Sequence, residues 1–261
     1  MARVASLKNM IVARIAACLV LVVVLLLTGP VLTLAFGPVS FRGDWSTASH
    51  RSTGQAPDPA THPEAIVQVY ASRTFGWRGA FAVHTWLAAK AAGADHYTRY
   101  EVIGWNLRGS RTAVSVSDSR SADAEWYGAA PQVIRDVRGA EAEAVIAKLP
   151  AAVASYPYPG VYSAWPGPNS NTFTAHLGRE IPELRLTLPP LAIGKDYLTH
   201  GRLFARTPSG TGYQMSLHGL LGVAAGTDEG FELNVLGLVA GFDLRHPALK
   251  LPGIGRVPSE G

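Results

Sequence analysis

The chain has 261 residues, of which 48% are hydrophobic and 16% charged, and its formal charge is +4. This apolar content is enough for a folded core and excludes a disordered chain. The basic excess is small, and no cluster of Lys and Arg with interleaved aromatic residues supports nucleic-acid binding. The single cysteine, Cys18, excludes an intramolecular disulfide.

The N-terminal segment is apolar over residues 15–36 and follows Arg3, Lys8 and Arg14. A helix of this length crosses a hydrocarbon layer of about 30 Å. The basic residues before it predict a cytosolic tail over residues 1–14 and a single-pass membrane protein whose C-terminal domain is extracytoplasmic, in the periplasm. A cleaved signal peptide is the alternative; we favour an uncleaved anchor because the apolar stretch is long for a signal.

Residues 37–64 are rich in Ser, Thr, Pro, Asp and His, a composition typical of a linker that holds a domain away from the bilayer. A domain over residues 65–196 and an extension over residues 197–261 are predicted to follow. Membrane lipid is the partner that this organisation implies.

The 65–196 domain is predicted to be α+β, mostly antiparallel strands with a few short helices. Strands are expected over residues 65–70, 81–90 and 97–105, and the last two are close enough to form a hairpin. The polar stretch 106–121 is typical of a loop or an edge strand. Helices are expected over 140–155, where Pro150 should kink or shorten the helix, and over 169–177.

The extension contains two dense apolar segments, 213–224 and 231–242, which predict a glycine-rich β-hairpin. Apolar residues occupy both of its faces. Because a two-stranded ribbon of this kind is not stable in water, it must be covered by the domain, by a partner or by lipid.

Two places could carry chemistry, His84 in a predicted strand and Ser170 at a predicted helix start. Taken singly, His84 is more typical of a core histidine and Ser170 of a capped helix. Taken together, they suit nucleophilic catalysis, because a helix N-terminus favours developing negative charge and a histidine can accept the serine proton. Glu101, in the neighbouring predicted strand, would orient the imidazole.

This order of residues resembles that of the circularly permuted NlpC-type papain-like proteins, which include relatives of lecithin-retinol acyltransferase. That family has a His on an early strand, a polar residue on the next strand and a later Asn-Cys motif that opens a helix after a Tyr-containing turn. Residues 67–184 carry the resemblance through His84, Glu101, Tyr162 and the run Asn169-Ser170-Asn171-Thr172-Phe173. It implies a permuted papain-like fold and catalytic roles for Ser170, His84 and Glu101. A pocket beside them would involve Trp86, Tyr162, Asn169 and Asn171.

The chain departs from that family at the nucleophile, because Ser170 stands where the family has Cys. The first hypothesis is therefore a serine-dependent hydrolase or acyl transferase that acts on an amide or ester bond, in cell-wall peptide or in a lipid acyl group. A non-catalytic binding module and a structural envelope protein are the alternatives. No cofactor or metal is expected, since no HExxH or Cys/His cluster occurs. The stretch 65–196 also resembles a bacterial family of membrane-anchored proteins of unknown function, which implies location rather than activity.

Overall fold

The computed structural model describes residues 2–39 and 44–258, the side chains of residues 2–8 excepted. A long helix, α1 (Ala2–Phe36), precedes a mostly β region with two further helices, α2 (Gly139–Ala154) and α3 (Ser170–Glu180). The strands are β1 (Ile66–Arg73), β2 (Val83–Lys90), β3 (Thr98–Val102), β4 (Val114–Ser117), β5 (Gln132–Arg138), β6 (Phe204–Arg206), β7 (Gly212–Leu217), β8 (Leu221–Gly226), β9 (Gly230–Val235), β10 (Leu238–Asp243), β11 (Ala248–Leu251) and β12 (Gly255–Val257). Within the described residues they form two antiparallel sheets.

The first sheet has the strand order β4-β3-β2-β1-β5. Alternate side chains of a strand point to opposite faces, so each strand contributes to two environments. Val69 and Leu87 belong to the main core, which they share with Leu149 of α2 and Phe173 of α3. We call this side of the sheet the helix face.

The opposite side, which we call the aromatic face, carries a second cluster that includes Tyr70, Trp86 and Trp126. Part of the stretch predicted to be a linker covers this face. The Asp123 carboxylate accepts hydrogen bonds from the Ser52 and Thr53 hydroxyls. The Asp123 carboxylate also accepts from the Gln55 and Ala56 N–H groups, so this part of the predicted linker is attached to the loop that carries Asp123.

Within α1, the stretch Asn9–Phe36 is long and apolar enough to span a membrane. Among the described residues no other helix meets this test. The last turns of α1 are packed against the protein. Gly29 and Pro30 are buried, and a Cβ atom on Gly29 would lie 1.9 Å from the Pro252 carbonyl oxygen. The Thr33 hydroxyl donates to the Gly253 carbonyl oxygen at 3.0 Å, and Arg73 of β1 donates to the same oxygen. Helix α1, the first sheet and the C-terminal sheet thus meet at one carbonyl group.

The predicted elements of the 65–196 domain are confirmed as β1, β2, β3, α2 and α3, and β2 pairs with β3 antiparallel as expected. The 106–121 stretch supplies an edge strand, β4. Helix α2 continues through Pro150 to Ala154, so the proline neither ends it nor shortens it. A proline inside a helix removes a single N–H donor, and the packed core around Leu149 outweighs that loss.

The C-terminal hairpin was predicted with too few strands. Residues 213–224 form β7 and β8, and residues 231–242 form β9 and β10. Each segment is divided by two consecutive residues with positive φ, His218-Gly219 and Leu236-Gly237. Positive φ at both central residues is the geometry of a type I′ hairpin turn. In each pair only the glycine is a residue typical of such a turn, so the sequence gives a weak signal for it.

The close packing of Gly29 on the C-terminal loop predicts that side-chain bulk there weakens the protein. We expect Gly29→Leu to lower the thermal unfolding midpoint of the detergent-solubilised chain, because the new side chain has to displace the Pro252 carbonyl. Thr28→Leu is the matched control, since Thr28 is exposed on the same helix. Equal midpoints for the two variants would show that α1 is not packed against the domain.

Candidate functional site

The candidate site is built around a buried hydrogen bond between neighbouring strands. His84 lies near the start of β2 and Glu101 near the end of β3, and both side chains point to the aromatic face. His84 Nε2 and Glu101 Oε2 are 2.9 Å apart, and the two residues are 4% and 1% exposed. The sequence-predicted contact between this histidine and this carboxylate is therefore present in the structure.

Two arginines share the carboxylate with the histidine. Arg99 Nη2 donates to Glu101 Oε2 at 2.9 Å, and Arg120 Nη1 lies 3.6 Å from Oε1. Burial alone would raise the pKa of Glu101, but the hydrogen bonds from His84 and Arg99 and the arginine charge outweigh it and lower the pKa to about 2. Glu101 is therefore ionised at neutral pH.

The imidazole stays neutral beside this anion. Burial lowers the pKa of His84, and it outweighs the hydrogen bond to Glu101, which acts in the opposite direction; the nearby Arg99 charge adds to the lowering. Since an ionised carboxylate can only accept, a neutral His84 must carry its proton on Nε2. The lone pair is then on Nδ1, which is the arrangement that a general base requires.

Aromatic rings enclose the imidazole on the same face. The Trp126 ring is stacked on His84 with centroids 3.6 Å apart and an interplanar angle of 11°. The Arg99 guanidinium lies 4.0 Å from the centroid of Trp86. These contacts fix the ring plane of His84 and the position of Arg99 together, so the imidazole cannot rotate without disturbing both tryptophans.

Helix α3 begins on the other side of the sheet, at Ser170. Its N-cap is Asn169, whose side chain accepts hydrogen bonds from the backbone N–H groups of Asn171 and Thr172. The Thr172 hydroxyl accepts in return from the Asn169 N–H, which completes a capping box. Because Asn169 satisfies the cap, the Ser170 hydroxyl is not needed for it.

Asn171 attaches the start of α3 to the residues on either side of His84. Its Nδ2 donates to the Val83 carbonyl oxygen at 2.9 Å, and its Oδ1 accepts from the Thr85 hydroxyl at 2.9 Å. At this end β2 has no ladder with β3, whose pairing with β2 covers only Leu87, Ala88 and Ala89. Ser170, which precedes Asn171, is 3% exposed.

The three residues of the predicted triad are thus only partly assembled. His84 and Glu101 are joined, whereas among the described residues no hydrogen bond links His84 to Ser170. The reason is the alternation along β2, which turns Thr85 toward α3 and His84 toward the aromatic face.

The four predicted pocket residues lie in different surroundings. Trp86 is completely buried in the aromatic face and donates to the Ala122 carbonyl oxygen. Asn169 and Asn171 are occupied by the cap and by the attachment to β2, while Tyr162 lies against Gly104. A cavity of about 290 Å³ occurs on the aromatic face instead, where its lining includes Arg99, Arg120 and Trp126.

Sequence reasoning missed the arginine that shares Glu101. Arg99 precedes Glu101 by two residues in a strand, and this spacing places both side chains on one face. That spacing could have identified Arg99 as a neighbour of Glu101 from the sequence. No comparable signal identified Trp126, because its stacking on His84 depends on a long loop between β4 and β5. Within residues 9–39 and 44–258 no group of His, Cys, Asp and Glu could hold a metal.

A comparison with protein-family models matches residues 64–197, just over half of the chain, to a family described as "Protein of unknown function (DUF3750)". The chain belongs to the DUF3750 family. No curated protein and no solved structure matches it. The papain-like likeness therefore stays a prediction from the sequence.

The DUF3750 match begins just before β1 and ends just after Asp196, so it contains the first sheet, α2, α3 and every residue of the candidate site. The C-terminal sheet, β6 to β12, lies outside it. The predicted boundary at residue 196 falls at nearly the same place.

The ionised Glu101 predicts how the stability of the DUF3750 domain depends on pH. A carboxyl whose pKa is lowered by folding stabilises the protein above its unfolded pKa, and that contribution is lost as the pH falls toward about 2. We expect Glu101→Gln to lower the unfolding free energy at neutral pH by about 3 kcal/mol, because it leaves Arg99 buried without its charge partner. The deficit should shrink as the pH falls below about 4.5.

Denaturant unfolding of the solubilised protein at several pH values measures this deficit. Glu143→Gln, at an exposed position of α2, is the matched control and should change little. A deficit for Glu101→Gln that is the same at every pH would mean that Glu101 is not ionised in the folded protein.

Proposed function

We propose that the chain is a membrane-anchored, extracytoplasmic hydrolase or acyl transferase that acts on an amide or ester bond. In this proposal Ser170 is the nucleophile, His84 is its general base and Glu101 orients His84. The substrate is a cell-wall peptide or a lipid acyl group, because both lie within reach of a domain attached to the bilayer.

The observation that carries the proposal is the buried His84–Glu101 hydrogen bond. It supports a neutral imidazole with its lone pair on Nδ1, held in one orientation by an ionised carboxylate. The N-terminus of α3, with the positive end of its dipole, lies beside the same part of β2. A base and its orienting anion thus lie on one side of β2, and a helix start lies on the other side of the same stretch.

The proposed reaction requires the Ser170 hydroxyl to reach Nδ1 of His84 through the gap between β2 and β3. The proton of Ser170 would pass to Nδ1 as the oxygen attacks the carbonyl carbon, and His84 would return it to the leaving group. The Ser170 backbone N–H, the one in the first turn of α3 that is not shown bonded to Asn169, would stabilise the oxyanion. Substrate binding would have to bring the two side chains together, because they lie on opposite sides of β2.

A non-catalytic binding module is the second candidate, and the cavity on the aromatic face favours it. Arg99 is 2% exposed, and its Nε has no hydrogen-bond partner among the described residues. Arg120 and His50 line the same cavity. A buried donor without a partner beside further basic side chains suits an anionic group of a ligand. In this reading His84 and Glu101 hold Arg99 in place instead of catalysing a reaction.

Labelling by a fluorophosphonate probe separates the two candidates. We expect the probe to label the wild-type protein at Ser170, and His84→Ala to abolish labelling because the base is lost. Ser170→Ala should also abolish it with little change in stability, since the helix cap is Asn169. Asn169→Ala should cost about 1 kcal/mol of stability by removing that cap.

Ser163, in the turn before the helix, provides the matched control, and Ser163→Ala should leave labelling unchanged. Ser170→Cys adds a second readout, because a thiol beside an activating base reacts with iodoacetamide at neutral pH. An unlabelled wild-type protein together with an inert thiol in Ser170→Cys would contradict the enzyme and leave the binding module.

The proposed location has its own test. The basic residues before the apolar span support a cytosolic N-terminus and a DUF3750 domain outside the cytosol. Alkaline phosphatase joined after Gly261 should be active in intact cells, because that enzyme needs an oxidising compartment for its disulfides. Green fluorescent protein at the same position is the control and should be dark after export through an unfolded state. Fluorescence with an inactive phosphatase would place the domain in the cytosol.

A further inference from the structure

The C-terminal sheet is reversed relative to an ordinary soluble sheet, because its apolar side faces outward. One row of side chains crosses the sheet by cross-strand pairing on this side. The row consists of Tyr213, Ala225, Phe231, Phe242, Leu249 and Val257. Every one of these side chains is exposed, and Phe231 is stacked on Phe242 with ring centroids 5.6 Å apart.

The neighbouring row on the same side is also apolar. Phe204 pairs with Met215, Met215 with Val223, and Val223 with Leu233. Phe204 and Met215 are 55% and 57% exposed. We call the side formed by these rows the outer face.

The side of the sheet that faces the protein is polar and charged. Glu232 of β9 accepts hydrogen bonds from Lys195 and from Lys250 of β11, and all three side chains are buried. Asn234 donates to Asp196 Oδ2 at 2.8 Å. These polar groups pair with one another only when this side of the sheet faces the protein. Turning the sheet over would separate Glu232 from Lys195 and Asn234 from Asp196. The outward position of the apolar rows is therefore fixed by the inner side.

The outer face is large for an apolar surface that faces water. Strands about 4.8 Å apart and about 3.4 Å per residue give the sheet an area on the order of 600 Å². This reaches the upper end of the largest apolar patches found on soluble monomers. None of the side chains in the two rows is acidic, and the basic Arg206, at the edge, lies against the Tyr213 ring.

The apolar helix α1 lies next to one edge of this sheet. The turn between β11 and β12 packs on Gly29 and Pro30 of α1, and Gly253 bonds to Thr33. Counted from Ile15 at about 1.5 Å per residue, Gly29 is about 21 Å and Thr33 about 27 Å along the helix. A hydrocarbon layer of about 30 Å therefore extends to the level of this turn. The edge of the C-terminal sheet is held at the bilayer surface.

A second feature marks the same level. The short 3-10 helix Gly76–Ala80 packs against α1 and carries Trp77, which is 53% exposed, with Arg78 over its ring. An exposed tryptophan beside a basic residue is typical of the membrane interface.

We infer that the outer face of the C-terminal sheet lies on the bilayer and contacts phospholipid in the leaflet on the side of the DUF3750 domain. The apolar rows enter the boundary between headgroups and acyl chains, while Arg206 and the other basic side chains at the rim reach the headgroups. The chain is then held by lipid at two places, the spanning helix and the sheet. This inference does not rest on the proposed chemistry.

Lipid-depth quenching tests the inference with the full chain. Leu233, in the middle of the outer face, is replaced by cysteine in a Cys18→Ser variant. The single cysteine is then labelled with the fluorophore NBD. The protein is placed in vesicles of equal parts phosphatidylcholine and phosphatidylglycerol, with or without doxyl-labelled phosphatidylcholine. We expect the doxyl lipid to reduce the emission at Leu233→Cys as strongly as at Leu32→Cys, an exposed position of α1.

Glu143→Cys, on the exposed side of α2, is the matched control and should lose no emission to the doxyl lipid. If Leu233→Cys fails to fold, Met215→Cys in the same row gives the same readout. Emission at both outer positions that is no more quenched than at Glu143→Cys would overturn the inference. Self-quenching between labelled copies without quenching by lipid would also overturn it, in favour of a second copy of the chain on that face.

Discussion

Alternation of side chains along β2 decides the arrangement of the DUF3750 domain. Val83 and Thr85 serve the helix face, where Asn171 bonds to both residues and fixes the start of α3. His84, between them, serves the aromatic face, where Glu101 and Trp126 hold it. One strand thus positions a base and a helix N-terminus within a few residues of each other but on different sides.

Side chains also alternate along the strands of the C-terminal sheet, but there the apolar side faces outward and the polar side faces the protein. Its charged positions, such as Glu232 and Lys250, face the protein and pair with one another. Its apolar positions face outward, and one edge of the sheet lies beside the end of α1. Both sheets and α1 are joined at the Gly253 carbonyl, so the position of the candidate site relative to α1 is fixed by these contacts.

Much of the domain could be predicted from the sequence, because period-two patterns identified β1 to β3 and the Ala-rich pattern identified α2. The contact between His84 and Glu101 was also predictable, from adjacent strands and from the family resemblance. The face on which His84 lies was not, because it depends on the register of β2 against β1 and on which side α3 packs. The C-terminal sheet was misjudged for a related reason. Its strands alternate between apolar and polar residues, and hydrophobicity alone does not tell which side faces the protein when lipid can replace a core.

The protonation of the His84 ring is the most direct test of the account, since the neutral base depends on Glu101 accepting from Nε2. Nitrogen-15 NMR of the protein labelled at histidine, with the His84 signals assigned from a His84→Gln variant, reports which ring nitrogen carries the proton. At neutral pH we expect a protonated Nε2 and an unprotonated Nδ1, with this preference lost in Glu101→Gln. A proton on Nδ1, or a doubly protonated ring at neutral pH, would contradict the proposed role of His84.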